Sequence, residues 1–93
     1  MATINSARFA IGQLVITRGA DAALEWHEVL WALSRHASGD WGEVCEEDWQ
    51  SNDEALELGT RLLSSYISRS GEKFWVITEH DRSVTTFLLP LEY

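Results

Sequence analysis

The sequence predicts an α+β domain. The expected architecture is a four-stranded, mostly antiparallel sheet, an N-terminal strand plus a C-terminal three-stranded meander, with one long helix and a short acidic helix. Three observations predict it. Apolar residues recur at helical spacing between residues 21 and 37. The last third holds three runs rich in β-branched and aromatic residues, each separated by a short polar turn. A further apolar run lies near the N-terminus. With 93 residues the chain is expected to form a single domain, 1–93.

Residues 1–7 are small and mostly polar and are expected to fray. "RFAIGQLVITR" reads as a strand over about 9–17, apolar on both faces, which suits a strand covered on both sides. Gly12 within it marks a bulge or a close backbone approach. "RGADAALEWHEVLWALSRHASG" reads as a helix over about 21–37. Ala23, Trp26, Leu30, Leu33 and Ala37 give one apolar stripe, widened by Val29 and Trp31. Asp21 suits its N-terminal end, Gly39 its stop, and Arg35 and His36 complement the dipole in the last turn. "EEDWQSNDEALELG" predicts a short helix over about 45–57, in one or two pieces, ending at Gly59.

"TRLLSSYISR", "EKFWVITEH" and "SVTTFLLP" read as the three meander strands. Gly71 sits in the first hairpin loop, "EHDRS" forms the second, and Pro90 ends the last strand because it has no N–H for a ladder. Period-two alternation puts Phe74, Val76 and Thr78 on one face and Trp75, Ile77 and Glu79 on the other.

Net charge is -8, from 15 acidic and 7 basic residues. Asp40, Glu43, Glu46, Glu47, Asp48, Asp53, Glu54 and Glu57 carry all of the excess, and residues 36–60 contain no Lys or Arg. Such a surface repels nucleic-acid phosphates and favours encounter with a basic protein. The lone cysteine, Cys45, excludes an internal disulfide and suits a reducing compartment. There is no signal-peptide pattern and no 18-residue apolar stretch, so a cytoplasmic protein without a membrane partner is expected.

"HEVLW" at 27–31 begins like a zinc-protease helix, but Trp31 stands where the second histidine must be, leaving His27 and Glu28 as ordinary helix-surface residues. From Asp48 the oxygen side chains Asp48, Gln50 and Asn52 alternate as in a calcium loop, yet Asp53 replaces the required glycine and Gly59 the required glutamate. No metal and no cofactor is therefore expected, beyond loose cation binding by clustered acids. Acids crowd Cys45 and make it a poor nucleophile, so a half-buried structural cysteine is expected there.

A catalytic alternative uses His36, Arg61, Arg82 and Thr86. A helix followed by an antiparallel sheet with His, Arg and Thr can cleave RNA, His acting as general base and Arg stabilising the phosphorane. That layout resembles small ribonuclease toxins of the barnase and RelE type. The net charge opposes it, since a small ribonuclease usually offers RNA a basic face.

"SRHASGDWGEV" with Asn52, and "ITEHDRSVTTFLLPLEY", resemble the short "plasmid-related" proteins of bacterial plasmids and integrative elements. The matching residues are Gly39, Asp40, Trp41, Gly42, Asn52, Gly59, Ser65, Tyr66, Thr78, Glu79, Asp81, Arg82, Thr86, Leu89, Pro90 and Tyr93, and the resemblance runs from about Phe9 to Tyr93. It implies a mobile-element context and no particular chemistry. The same positions also read structurally: Asn52 as a cap, Gly59 as a helix stop, Asp81 and Arg82 as a turn pair.

Three roles fit residues 39–57: a solvated face with Trp41 and Trp49 turned inward, a cation site, or a recognition surface for a basic protein. The leading expectation is a non-enzymatic accessory protein binding a basic partner through Glu43, Glu46, Glu47, Asp48, Asp53, Glu54 and Glu57, in an anti-restriction or other anti-defence role. A homodimer through an exposed edge strand is a further possibility.

Overall fold

The computed structural model describes residues 7–93; of the segment 1–7 expected to fray, residues 1–6 lie outside them. Strand β1 (Gln13–Ile16) leads into helices α1 (Arg18–Ala23), α2 (Trp26–Ala37) and α3 (Glu46–Leu58). Strands β2 (Leu62–Ile67), β3 (Lys73–Thr78) and β4 (Val84–Leu88) follow, and a 3-10 turn (Pro90–Glu92) precedes Tyr93. The fold is α+β, with one mixed sheet in the order β1-β4-β3-β2. The meander is antiparallel throughout, while β1 adds to β4 in parallel.

The registers sort the side chains into two faces. Leu62, Ser64 and Tyr66 of β2 lie beside Thr78, Val76 and Phe74 of β3, and these beside Thr85 and Phe87 of β4. All eight are buried. The helices cover this face: Val29, Ala32 and Leu33 of α2 meet Tyr66, Phe74, Val76 and Phe87 in the main core. The Phe74 and Phe87 rings stack at 6.0 Å. Burying each such side chain stabilises the fold by roughly 1.5–3 kcal/mol. On the opposite face Ile77 and Leu88 are also buried, and Tyr93 folds back with its ring 5.7 Å from that of Trp75.

The N-terminal strand is shorter than its apolar run and lies at the sheet edge, half-exposed, rather than covered on both sides. Gly12 marks the close approach expected of it. Its φ is +63°, and a Cβ there would lie 2.2 Å from the Ser83 carbonyl oxygen.

The single helix expected over 21–37 is two helices. Thr17 caps α1 through its hydroxyl, which accepts the Ala20 N–H. Leu24 is extended, with φ -116° and ψ 142°, and turns its side chain into the core. The chain re-enters a helix after Glu25, whose N–H donates to the Glu28 carboxylate at 3.4 Å.

The face that α2 buries differs from the one expected. Val29, Ala32, Leu33, His36 and Ala37 point inward. Trp26 is 63% exposed and Leu30 39%, so neither belongs to the core stripe expected of them. Glu28, expected at the surface, is buried, and its other oxygen accepts the Arg69 N–H at 3.0 Å. Among the described residues no helix is long and apolar enough to cross a membrane.

Candidate functional site

Helix α3 carries six of the seven candidate acids, and a set of polar anchors fixes it beside the edge of β2. Before it, the Arg35 guanidinium grips Asp40 at 2.8 and 3.1 Å, and the Gly42 N–H donates to the same carboxylate. The Arg35 hydrogen bonds hold the Asp40 carboxyl below its ordinary pKa, with a smaller contribution from the Gly42 N–H. The Tyr66 hydroxyl donates to the Asp40 carbonyl at 2.6 Å. The chain then pairs with the edge of β2: Ser65 N–H donates to the Trp41 carbonyl, and Glu43 N–H to the Ser65 carbonyl. Gly42 permits this contact. Its φ is +74°, and a Cβ there would lie 2.1 Å from the Ser65 carbonyl oxygen.

Both tryptophans of the acidic segment turn inward. Trp41 is fully buried with Ala55 and Leu62, and its indole N–H donates to Asp53 at 2.9 Å. Trp49 packs against the same cluster and stays partly exposed. Asn52, expected as a cap, sits in the middle of α3, where its amide pairs with the Leu63 backbone. Gly59 stops the helix in the left-handed conformation, φ 70°. Arg82 is no ion-pair partner of Asp81: its guanidinium donates to the Ala55 carbonyl at 3.0 Å and to the Thr60 carbonyl at 2.6 Å. It thus supplies the cation that the last turn of α3 lacks. Asp81 instead accepts the Ser83 N–H and hydroxyl. Cys45, at the N-cap, is exposed rather than half-buried.

Glu43, Glu46, Glu47, Asp48, Asp53, Glu54 and Glu57 are all exposed. The ion pairs among the described residues are His27–Glu25, Arg35–Asp40 and Arg61–Glu79, and none involves these seven. At about 100° per residue, Glu46, Glu47, Asp53, Glu54 and Glu57 fall within an arc of roughly 120°. Asp48 lies apart, lining a cleft with Asn52, Arg61 and Leu63. Glu46, Glu47 and Asp48 occupy the first turn, where the helix dipole favours them. Asp53, Glu54 and Glu57 have no such relief. A groove of about 500 Å³ runs along the acids, lined by Val44, Glu46, Trp49, Gln50 and Asp53.

The residues of the catalytic alternative are not brought together. His36 is fully buried on the helix-covered side of the sheet. Thr86 alternates with Thr85 and Phe87 and so faces the other side. Arg61 is exposed, donating to the Tyr93 hydroxyl at 2.8 Å and pairing with Glu79. Arg82 is committed to the carbonyls at the end of α3.

What His36 does instead is join a chain of hydroxyls. The Thr85 hydroxyl donates to the Ile11 carbonyl at 2.7 Å. It therefore accepts from Thr78, 2.7 Å away, and Thr78 accepts in turn from His36 Nε2 at 2.8 Å. That order fixes the neutral tautomer: Nε2 carries the proton and Nδ1 accepts from the Ser64 hydroxyl at 2.5 Å. Burial, and secondarily the charge of Arg82, lowers the imidazole pKa to about 3.

Glu25, His27 and Glu28 bring possible ligand atoms within 4.8 Å of one another. Both Glu28 oxygens already accept N–H groups, and the cluster lies at the positive end of the α2 dipole. A cation is disfavoured there. The Asn52 clamp, whose partner is backbone, and the hydroxyl chain carry no sequence signal of their own. The spacing of Val29, Ala32, Leu33, His36 and Ala37 was a signal for the buried histidine, once His36 is counted as a core residue. The chain matches no family of known proteins, no curated protein and no solved structure.

Proposed function

We propose that this is a non-enzymatic accessory protein of a bacterial mobile element, acting in the cytoplasm and binding a basic protein partner through α3. The observation that carries the binding is the row of five exposed carboxylates on one arc of a firmly anchored helix, with no ion pair to offset them among the described residues. A rigid acidic row can take the place of DNA phosphates on a DNA-binding enzyme, which suits an anti-restriction or other anti-defence role. The mobile-element context rests on the sequence resemblance alone.

The test is affinity capture from a bacterial lysate at low and high salt, with partners identified by mass spectrometry. A basic nuclease or restriction subunit, captured at low salt and released at high salt, is the expected result. The purified partner should then lose affinity when Glu46, Glu47, Glu54 and Glu57 are reversed to Lys. An affinity indifferent to that reversal excludes the reading.

A further inference from the structure

The outer edge of β2 is closed one backbone rung at a time, each by a different device. At Leu63 the Asn52 amide accepts the N–H and donates to the carbonyl. At Ser65 the backbone of Trp41 and Glu43 does both. At Arg69 the Glu28 carboxylate accepts the N–H. Rungs alternate along an antiparallel strand. Because Ser65 spends its N–H and carbonyl outward, so does Ile67 two residues on. Among the described residues neither Ile67 group has a partner.

That one open rung lies at a cleft. The cleft holds about 300 Å³ and is lined by His27, Glu28, Trp31, Ile67, Ser68 and Arg69. Trp31 is 46% exposed and Ile67 48%, both large apolar side chains left at the surface. Arg69 is exposed, and no carboxylate pairs with its guanidinium among the described residues.

We infer that this edge is a docking site for an extended segment of another protein, one with apolar side chains and a nearby carboxylate. A backbone N–H and carbonyl side by side are matched by another peptide backbone, which supplies the complementary pair. A residue set opposite Ile67 makes both hydrogen bonds. Its two neighbours then direct their side chains to the helix side of the sheet, towards Trp31. The carboxylate answers Arg69. This segment has the opposite charge preference to the basic partner proposed for α3 and meets a different surface.

The test uses the full chain and a phage-displayed library of twelve-residue peptides. Enriched peptides should carry spaced apolar residues with an Asp or Glu, and should protect the Ile67 amide from hydrogen exchange. Their affinity should fall on the order of tenfold in Ile67→Pro, which removes the donor at an edge position that tolerates proline, and in Trp31→Ala. Glu54→Lys should leave it unchanged. If Ile67→Pro does not fold, Trp31→Ala and the exchange measurement decide. The inference is overturned if the Ile67 amide is already protected in the free protein, since the chain itself or a second copy then fills the rung. It is equally overturned if no such peptide is enriched, or if binding survives both substitutions.

Discussion

Asn52 and Leu63 hold each other through a complete amide pair: the Asn52 Nδ2 donates to the Leu63 carbonyl at 2.8 Å, and the Leu63 N–H donates to Asn52 Oδ1 at 3.1 Å. A mid-helix side chain thus closes a strand edge as a neighbouring strand would, and ties α3 to the sheet. Asn52→Asp keeps the shape but removes the donor and sets a carboxylate against a carbonyl. The substitution should cost about 1–3 kcal/mol, read as a lower midpoint in urea. Asn52→Leu should cost as much, because it strands both Leu63 groups. An unchanged midpoint in both variants would show that the pair adds nothing to stability.

Gly42 and Gly59 share a left-handed backbone and differ in their surroundings. At Gly42 a Cβ would strike the Ser65 carbonyl oxygen at 2.1 Å, and at Gly59 it would meet nothing within 4 Å. Gly59→Ala should therefore cost only the conformational penalty, about 1 kcal/mol. Gly42→Ala must also separate the Trp41–Glu43 segment from β2, breaking the Ser65 rung, and should cost clearly more. Thermal melts of the two variants give the comparison, and equal losses would contradict the close contact.

The meander was legible because strand period and turn chemistry agree there: Phe74, Val76 and Thr78 face inward as alternation requires, and Gly59 stops α3. The break at Leu24 was not. Ala23, Trp26, Leu30, Leu33 and Ala37 keep helical spacing straight across it, and nothing local shows that Glu28 will reach back to the Glu25 N–H and across to Arg69. Trp26 and Leu30 are exposed because α2 buries the face shared by Val29, Ala32, Leu33 and His36, which the expected stripe only partly overlaps. Of the candidate site, the exposure of the acids and the inward turn of Trp41 and Trp49 were readable from composition. The partners of Asn52 and Arg82 were not, because both bind backbone carbonyls brought near only by the fold.

Position along α3 should decide the sign of each charge removal. Glu46 and Glu47 lie in the first turn, where the dipole favours them, whereas Glu54 and Glu57 crowd Asp53 near the other end. Glu54→Gln and Glu57→Gln should each stabilise by about 0.3 kcal/mol at low salt, the gain fading as salt screens the repulsion. Glu46→Gln and Glu47→Gln should be neutral to destabilising. Melts of the four variants at low and high salt test this. A uniform gain across all four would mean that net charge alone governs the helix.

His36 should make stability fall as the solution is acidified. Its imidazole has a folded pKa of about 3 against an ordinary 6.5, because burial disfavours the cation and Arg82 adds repulsion. The unfolded chain therefore binds the proton first. Stability from this group is complete above about pH 6.5 and declines as pH falls from there towards 3. The slope is about 1.4 kcal/mol per pH unit, or roughly 2 kcal/mol between pH 7 and 5. Asp40, held below the ordinary carboxylate range by Arg35, adds little to that slope. Urea midpoints from pH 7.5 to 5 should fall accordingly. His36→Gln, although less stable at pH 7.5 for its imperfect fit to Ser64 and Thr78, should lose most of that slope. A ring that titrates near 6 by NMR in the folded protein would contradict the buried neutral histidine and the hydroxyl chain built on it.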